Sequence, residues 1–300
     1  MIAPLERRLQ LITGKGGTGK TTLTAALGLA HAARGKRPLL VELGHRASLA
    51  RVLGVPAIDH EIREVLPGVH ATNLQVHHAT HALVRRALPA RVTARLLRSA
   101  PIRTFLDAAP GVGEVATLDR IRSFVDETDF DPIIVDGDAT GHTRMLFALH
   151  GVLAGLGVGG PIAGLLDRAS GIFADAGVAA VHLAALPTSL AIEETVELWT
   201  EIRAGERVAL GHVLLDRVEG REARDLATSV LEAAERDADA RMASAIALLR
   251  VDRERWERAH VLRDRLAKRG MSPRAIDEID GVVDLSSLRR IGRDLLEDAS

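Results

Sequence analysis

Residues 14–21 read GKGGTGKT, a glycine-rich run that ends in a lysine and a threonine. They fill the pattern G-x-x-x-x-G-K-[ST], with an apolar run before them and a helical pattern after them. Glycines let the backbone curl so that several N–H groups point at one anion, and the following helix adds the positive end of its dipole. We expect Lys20 to contact β- and γ-phosphates and the Thr21 hydroxyl to contact Mg²⁺. The run therefore predicts a site for a nucleoside triphosphate.

A second polar residue, Asp136, closes the apolar run PIIVD at residues 132–136. A carboxylate at the end of a buried strand can hold Mg²⁺ through water beside a phosphate loop. We therefore expect Thr21 and Asp136 to share one metal ion. The residues expected to bind the nucleotide are Gly14, Lys15, Gly16, Gly17, Thr18, Gly19, Lys20, Thr21 and Thr22.

Strands that alternate with helices must position these residues. Apolar runs predict strands at Leu9–Thr13, Pro38–Leu43, Asn73–His77, Pro132–Asp136, Val178–Leu186 and Val208–Leu215, the last of them. Helical patterns occupy Thr21–Arg34, most of His81–Asp126, a stretch near Pro161–Ala174, then Ser189–Ile202 and Leu285–Leu296. The order predicts an α/β fold, a doubly wound and mostly parallel sheet with helices on both faces. We expect one domain over residues 1–300, with a largely helical insertion near 80–126 and a charged helical C-terminal segment over 222–300.

Composition excludes several classes of site. The 300 residues contain no cysteine, and basic and acidic side chains nearly cancel to a formal charge of −1. Without thiols, zinc–thiolate sites, iron–sulfur clusters and thiol-ligated arsenite are excluded. The balanced charge argues against nucleic acid as a partner. The charged first residues predict no signal peptide, and the glycine-rich apolar stretch 146–166 would make a poor membrane span, so we expect a cytoplasmic protein.

The lysine directly after the first glycine, Lys15, is not needed to hold a phosphate within one chain. The run KGGTGKTT resembles the deviant Walker A motif of the dimeric ATPases that include MinD, ParA, nitrogenase iron protein and ArsA. The resemblance implies that Lys15 reaches across a dimer interface and acts as a catalytic cation at the partner's nucleotide, beside Lys20 in its own chain. It implies a P-loop NTPase fold and a homodimer, or a heterodimer with a paralogue.

Residues 136–144 read DGDATGHTR, which is similar to the second switch of the ArsA family and its tail-anchored-protein-targeting relatives. The runs PLLVEL and LPTSLAIEETVEL also fit the bacterial branch of this family, and the resemblance covers roughly residues 8–218. It implies ATP and Mg²⁺ as cofactors, ATP hydrolysis, and a protein client or partner handled through the nucleotide state. The implied switch residues are Thr140, Gly141 and His142. The zinc-binding CxxC of the targeting relatives is missing.

The first switch departs from the family pattern. An aspartate that orients the attacking water in the family falls on Gly44, and glycine cannot orient or deprotonate water. Two acids are candidates to replace it: Glu42, two residues earlier on the same strand face, and Asp138, two residues after Asp136. Asp138 would either stand near the γ-phosphate as a substitute or repel the phosphate and weaken binding.

Asp216 is the second departure, because the family usually has asparagine at this strand end, where it pairs with adenine. A carboxylate accepts from adenine N6 or guanine N1 and N2, but it cannot donate to adenine N7. ATP and GTP both stay open, and Asp216 serving only as a strand-end cap is the alternative. At the level of function, the alternative to an ATPase is a catalytically weak regulatory or scaffold subunit, which Gly44 favours.

Overall fold

The computed structural model of the chain describes residues 2–44, 47–101, 104, 111–139, 168, 171–204, 208–218, 228–231, 243–279 and 281–297. One sheet runs through these residues. Its eight strands are β1 (Leu9–Gly14), β2 (Leu39–Leu43), β3 (Arg63–Leu66), β4 (Val69–Leu74), β5 (Ile133–Ala139), β6 (Ala179–Ala185), β7 (Leu210–Val218) and β8 (Pro273–Asp277).

The spatial order of the strands is β3-β4-β2-β5-β1-β6-β7-β8. β3 is antiparallel to β4, and the other neighbouring pairs are parallel. The carboxyl ends of the parallel strands therefore meet at one edge of the sheet, and the phosphate loop follows β1 at the centre of that edge. This is where ligands bind in open α/β sheets.

Helices cover both faces of the sheet. They are α1 (Lys20–Ala33), α2 (Ser48–Leu53), α3 (Val76–Ala87), α4 (Ala90–Arg98), α5 (Val112–Glu127), α6 (Ser189–Ala204), α7 (Ala243–Lys268) and α8 (Leu285–Glu297). Helices α1, α2 and α8 pack on one face, whereas α3 and α5 pack on the other, together with α6 and α7 over β6 and β7. The predicted α/β fold with a doubly wound, mostly parallel sheet is confirmed.

Alternation along the strands explains the two layers. In β2, Leu39 and Val41 point into the core that contains α3 and α5, whereas Leu40 points into the core that contains α1. β5 repeats the pattern, with Ile134 on the α1 side. Because successive strand side chains face opposite sides, a strand covered on both faces reads as a continuous apolar run. The runs at 9–13, 38–43 and 132–136 were recognised as strands for this reason.

The structure differs from the predicted elements in three places. The predicted strand Asn73–His77 is wrong in position, because β4 ends at Leu74 and α3 starts at Val76. The hairpin of β3 and β4 was missed, and so was β8, which makes Val208–Leu215 not the last strand. The predicted helix near Pro161–Ala174 lies largely outside the described residues, as do residues 222–227, 232–242, 280 and 298–300 of the predicted C-terminal segment.

Among the described residues, three histidines are buried inside the fold: His31, His182 and His212. His31 Nε2 lies 3.0 Å from the Leu5 carbonyl oxygen, and His182 Nδ1 accepts a hydrogen bond from the His212 backbone N–H at 3.1 Å. Burial lowers the pKa of His31 to about 4, of His182 to about 3 and of His212 to about 4, because a charged imidazole loses its hydration there. The fold therefore holds these three rings in the neutral form.

Candidate functional site

The turn after β1 needs glycine at two of its positions. Gly14 has a φ of 147°, and a side chain there would collide with the Ala184 carbonyl oxygen on β6. Gly19 has a φ of 80° and stands at the N-cap of α1, where a side chain would collide with the Asp216 carboxylate. The backbone can curl over the end of β1 only because both positions lack a side chain.

Hydrogen bonds inside the loop fix its shape. The Thr18 hydroxyl donates to the Lys15 carbonyl at 2.8 Å. The Lys20 ammonium donates to the carbonyl oxygens of Gly14 at 3.1 Å and Lys15 at 2.9 Å, so it spans the loop from the first turn of α1. The loop thereby gathers the N-terminus of a helix and a cation, which together suit a polyphosphate. Gly16 and Gly17 lie exposed at its outer side.

Thr21 and Asp136 come together, as their motifs predicted. The Thr21 hydroxyl donates to Asp136 Oδ2 at 2.6 Å, joining the first turn of α1 to β5. Asp136 is buried, and β5 lies directly beside β1, with Ile12 as its register partner. A hydroxyl and a carboxylate next to a phosphate loop form a donor set that Mg²⁺ accepts, with water and phosphate oxygens as the remaining ligands. The residues present therefore fit the ion.

Lys15 forms an ion pair with Glu194, a residue on α6 that the sequence analysis did not single out. The Lys15 side chain is 54% exposed and that of Glu194 is 29% exposed. The pair borders a cavity of about 140 Å³ between the loop and α6, which Glu197 also lines. Glu194 stands in the acidic run of LPTSLAIEETVEL, but its contact with a residue 179 positions away depends on tertiary packing. In the single chain, Lys15 is thus held by its own α6.

The first-switch glycine fits its backbone. Gly44 has a φ of 91°, a value that favours glycine over residues with a side chain, and its N–H donates to the Leu74 carbonyl at 3.3 Å. An aspartate here would be strained. Position 44, where the family has an aspartate, therefore has a backbone conformation in this chain that disfavours aspartate.

Glu42 lies next to Asp136 across the β2–β5 pairing, but it is occupied. Its Oε1 accepts from the backbone N–H groups of Ser48 at 2.7 Å and Leu49 at 3.0 Å, which begin α2. Its Oε2 accepts from Asn73 Nδ2 at 3.1 Å. A buried carboxylate that holds a helix N-terminus is satisfied in place. The geometry favours a positioning role for Glu42 over the water-orienting role that the sequence suggested.

Asp216 on β7 lies under the loop, with its carboxylate against Gly19. The residue is 7% exposed, and burial raises the pKa of its carboxyl group, a rise opposed by the neighbouring Arg217. Arg217 Nε lies 3.6 Å from Asp216 Oδ2. The predicted contact between Asp216 and a base stays a prediction, but the residue stands at the edge of the phosphate site.

A second cavity, of about 240 Å³, opens where β6, β7 and β8 end. Its polar lining consists of Thr188, Arg217, Arg255, Arg258 and Glu278. Arg255 and Arg258 come from α7, and Arg255 pairs with Glu278 at 3.2 Å. The sequence analysis missed these residues because β8, which places Glu278, was not recognised.

The predicted residues of the second switch lie outside the described part of the chain, either entirely or by their side chains. Asp138 belongs to β5, but its side chain lies outside the described part, and Thr140, Gly141 and His142 lie outside it altogether. Thr22 stands in the first turn of α1. Among the described residues, no three histidine, aspartate or glutamate side chains are grouped so that they could hold a metal ion. No helix in the described ranges is both long and apolar enough to cross a membrane.

Comparison with known proteins gives a consistent result. A family model described as anion-transporting ATPase matches residues 7–155. ATPase BagA of Mycobacterium tuberculosis is 29% identical over 222 residues, which are 70% of this chain and 65% of that protein. The arsenical pump-driving ATPase of Acidiphilium multivorum is 31% identical over 169 residues, which are 51% of this chain and 28% of that protein. That of Escherichia coli is 29% identical over 167 residues, again 28% of its length.

The chain thus spans 65% of the length of its mycobacterial relative and a smaller share of the arsenical pump ATPases. The match nevertheless includes the phosphate loop and the strand that carries Asp136. Because the matched segment, the sheet order and the Thr21–Asp136 contact agree, the chain has the fold of a P-loop NTPase and is similar to the ArsA-like ATPases over residues 7–155.

Proposed function

We propose that the chain binds and hydrolyses Mg-ATP as a dimer and couples its nucleotide state to a protein partner or client. The hydrogen bond between Thr21 and Asp136 carries this proposal, because it brings the two expected Mg²⁺ donors together beside the loop. The names of the relatives support the reaction, since the mycobacterial protein is named an ATPase and the others are named pump-driving ATPases.

In the proposed reaction, water attacks the γ-phosphorus, the bond to the β–γ bridging oxygen breaks, and ADP and inorganic phosphate are released. Mg²⁺, when bound, neutralises charge on the β- and γ-oxygens. Lys20 would exchange its two carbonyl partners in the loop for phosphate oxygens. The backbone N–H groups at the start of α1 would hold the same anion. Together they position the phosphate for attack and stabilise charge as it develops.

The residue that links this proposal to a dimer is Lys15. More than half of the Lys15 side chain is exposed, and its partner Glu194 belongs to the same chain. A lysine that serves a neighbouring nucleotide must first leave such a contact. An exposed ion pair is worth about 0.2–1 kcal/mol, so the cost of leaving it is small compared with the interaction of a lysine with a triphosphate. The geometry is therefore compatible with a lysine that changes partners when a second chain docks.

The base would lie at the carboxyl ends of β6, β7 and β8, next to Asp216. The 240 Å³ cavity is located there and is lined by Pro187, Arg217 and Glu278. Guanidinium planes stack well on aromatic rings, and Arg217, Arg255 and Arg258 supply three of them. The acids offer acceptors to an exocyclic amino group. We assign ATP as the nucleotide on the names of the relatives, and GTP is the competitor to be tested.

Arsenite bound by thiols is not the target that we propose for the nucleotide cycle. The arsenical pump names belong to relatives that this chain matches over less than a third of their length. None of the 300 residues is cysteine, so no thiolate is present to bind arsenic(III). We infer a protein partner or client as the target of the nucleotide cycle.

A second candidate function is a scaffold subunit that binds nucleotide but turns it over slowly. Gly44 favours it, because the position with a φ of 91° lacks the acid that orients water in the family. Glu42, the nearest described replacement, already accepts three hydrogen bonds. Turnover rather than binding distinguishes the two candidates.

A phosphate-release assay on the purified chain tests the proposal. The wild type should release phosphate from Mg-ATP, and Lys20→Ala should lower the rate by about a hundredfold, because a cation on the transferring group is lost. Lys268→Ala, which removes an exposed lysine at the end of α7, is the matched control and should leave the rate unchanged. Tight ATP binding without release would favour the scaffold. Equal rates in Lys20→Ala and wild type would contradict catalysis at this loop.

A further inference from the structure

The charges of this chain are balanced in total but not in distribution. Residues 65–106 contain no aspartate or glutamate, although the average composition would place about six acids in a stretch of that length. The same stretch contains six arginines. It includes α3 and α4, which pack against each other, and neither helix lines the cavity beside the phosphate loop. Basic charge is therefore concentrated on one helical pair.

Helix α4 displays its arginines on one side. At 100° per residue, Arg91, Arg95 and Arg98 fall within an arc of about 60°, and Thr93 falls about 140–160° away from them. Thr93 is buried, and its hydroxyl donates to the carbonyl oxygens of Leu88 at 3.2 Å and Val84 at 3.4 Å. The threonine side thus docks on the end of α3, and the arginine side faces outward.

Four arginines of this pair are exposed and have no acidic partner among the described residues: Arg85, Arg91, Arg95 and Arg98, here called the arginine face. Arg86 differs, because it pairs with Asp119 at 3.4 Å and with Glu127 at 3.2 Å on α5. Arg86 therefore fastens α3 to the body of the protein. The arginine face makes no such contact with the body of the protein, and four like charges on one helical pair repel one another.

Apolar side chains accompany this charge. Leu88, at the junction of the two helices, is 37% exposed, and Val92 on α4 is 45% exposed. The intervening Pro89, Ala90 and Ala94 are exposed as well. No phenylalanine, tyrosine or tryptophan occurs between residues 65 and 104, so this stretch lacks the large aromatic rings on which single-stranded nucleic acids commonly stack. Arginines interleaved with exposed aliphatic side chains are typical of a helix that lies on an anionic lipid surface.

We propose that the arginine face, with Leu88 and Val92, docks the protein on a bilayer surface rich in anionic phospholipid headgroups. Guanidinium groups pair with headgroup phosphates, and the two aliphatic side chains reach the layer below. A nucleic-acid duplex offers a row of phosphates but no apolar layer for these side chains. The contact is peripheral and involves no spanning segment. It would place the nucleotide cycle at a membrane whatever partner the cycle serves.

Flotation of the full chain with vesicles tests the proposal. The protein should float with vesicles of phosphatidylglycerol and phosphatidylcholine at low salt and should stay behind with pure phosphatidylcholine. Binding should weaken as salt screens the charges. Each arginine near an anionic surface contributes about a fivefold increase in partitioning, so replacing all four arginines of the arginine face by glutamine should lower partitioning at least ~100-fold. Glutamine keeps the helix propensity, and circular dichroism checks the fold.

The matched control replaces four exposed arginines elsewhere: Arg203, Arg269, Arg289 and Arg290. It changes the net charge equally and should keep most of the binding. The proposal is overturned if wild type does not float with anionic vesicles at low salt, or if the control loses as much binding as the arginine-face variant. Binding to mixed-sequence duplex DNA through these arginines, without binding to anionic vesicles, would also overturn it and assign the surface to nucleic acid.

Discussion

The ammonium group of Lys15 is paired with the carboxylate of Glu194 on α6 of the same chain. Lys15 belongs to the phosphate loop, yet its charge points sideways along the surface, whereas Lys20 points across the loop. Lys15 and Lys20, five residues apart, therefore have different partners: a carboxylate on α6 for Lys15 and two loop carbonyl oxygens for Lys20. Lys20 lies across the phosphate loop, and Lys15 lies against α6, a contact that it would have to leave in the proposed dimer.

Replacing Glu194 by glutamine should release Lys15 and favour the nucleotide-dependent dimer. The pair is partly exposed, so the dissociation constant of the ATP-bound dimer should fall by about two- to fivefold. Sedimentation velocity with a non-hydrolysable ATP analogue measures this constant. Glu197→Gln, on the same helix and beside the same cavity, is the control. A dimer weakened by Glu194→Gln would show that Glu194 supports the interface and does not compete with it.

Restoring aspartate at position 44 should not restore a faster enzyme. The φ of 91° at Gly44 disfavours any side chain, so Gly44→Asp should lower the free energy of unfolding by about 1–2 kcal/mol without raising phosphate release. Gly44→Ala should lose a similar amount, which separates backbone strain from charge. Urea unfolding and the phosphate assay give the two readouts. A several-fold gain in rate for Gly44→Asp alone would show that the acid was the only missing part.

Asp216→Asn should raise the affinity for ATP more than that for GTP. The amide can donate to adenine N7 and accept from N6, and it removes a buried carboxyl group from the neighbourhood of the phosphates. One hydrogen bond gained and one repulsion lost correspond to about a tenfold tighter binding. Competition between the two nucleotides for the wild type and the variant measures the change. Asp126→Asn, an exposed position on α5 away from both cavities, controls for a general loss of charge. Unchanged ratios would leave Asp216 as a structural residue under Gly19.

Acid should destabilise the protein through His31, His182 and His212. Their pKa values in the folded state, about 4, about 3 and about 4, lie below the ordinary value of 6.5. As the pH falls through 6.5, these histidines bind protons in the unfolded chain but stay neutral in the folded chain. The free energy of unfolding therefore has its full value above pH 6.5 and falls progressively toward pH 4, by roughly a few kcal/mol in all.

Urea unfolding at several pH values measures this loss. His31→Gln keeps a donor for the Leu5 carbonyl oxygen but removes one of the titrating groups, and it should make the pH dependence shallower. A free energy of unfolding that stays constant between pH 7 and pH 4.5 would refute neutral burial of these rings.

The sequence predicted the parts of the site that depend on local pattern. The loop glycines, Lys20 and Thr21 lie in one motif, and Asp136 ends an apolar run that is covered on both faces, so their meeting follows from strand order. The Lys15–Glu194 pair could not be predicted in this way, because it depends on how α6 packs beside the loop. The β8 strand, PRAID, has only partial burial and no continuous apolar run, so its pairing with β7 decides its conformation. The sequence showed that Gly44 stands where the family has an aspartate, but only the φ angle of the backbone shows why glycine suits this position.

Titration calorimetry of the pure chain with ATP, with and without Mg²⁺, tests most directly whether the loop and the Thr21–Asp136 pair form one nucleotide site. We expect saturable binding that is tighter with Mg²⁺, is nearly abolished in Lys20→Ala and is unchanged in Lys268→Ala. If neither ATP nor GTP binds in the presence of Mg²⁺, or if Lys20→Ala binds as tightly as the wild type, then the loop and the Thr21–Asp136 pair do not form a nucleotide site.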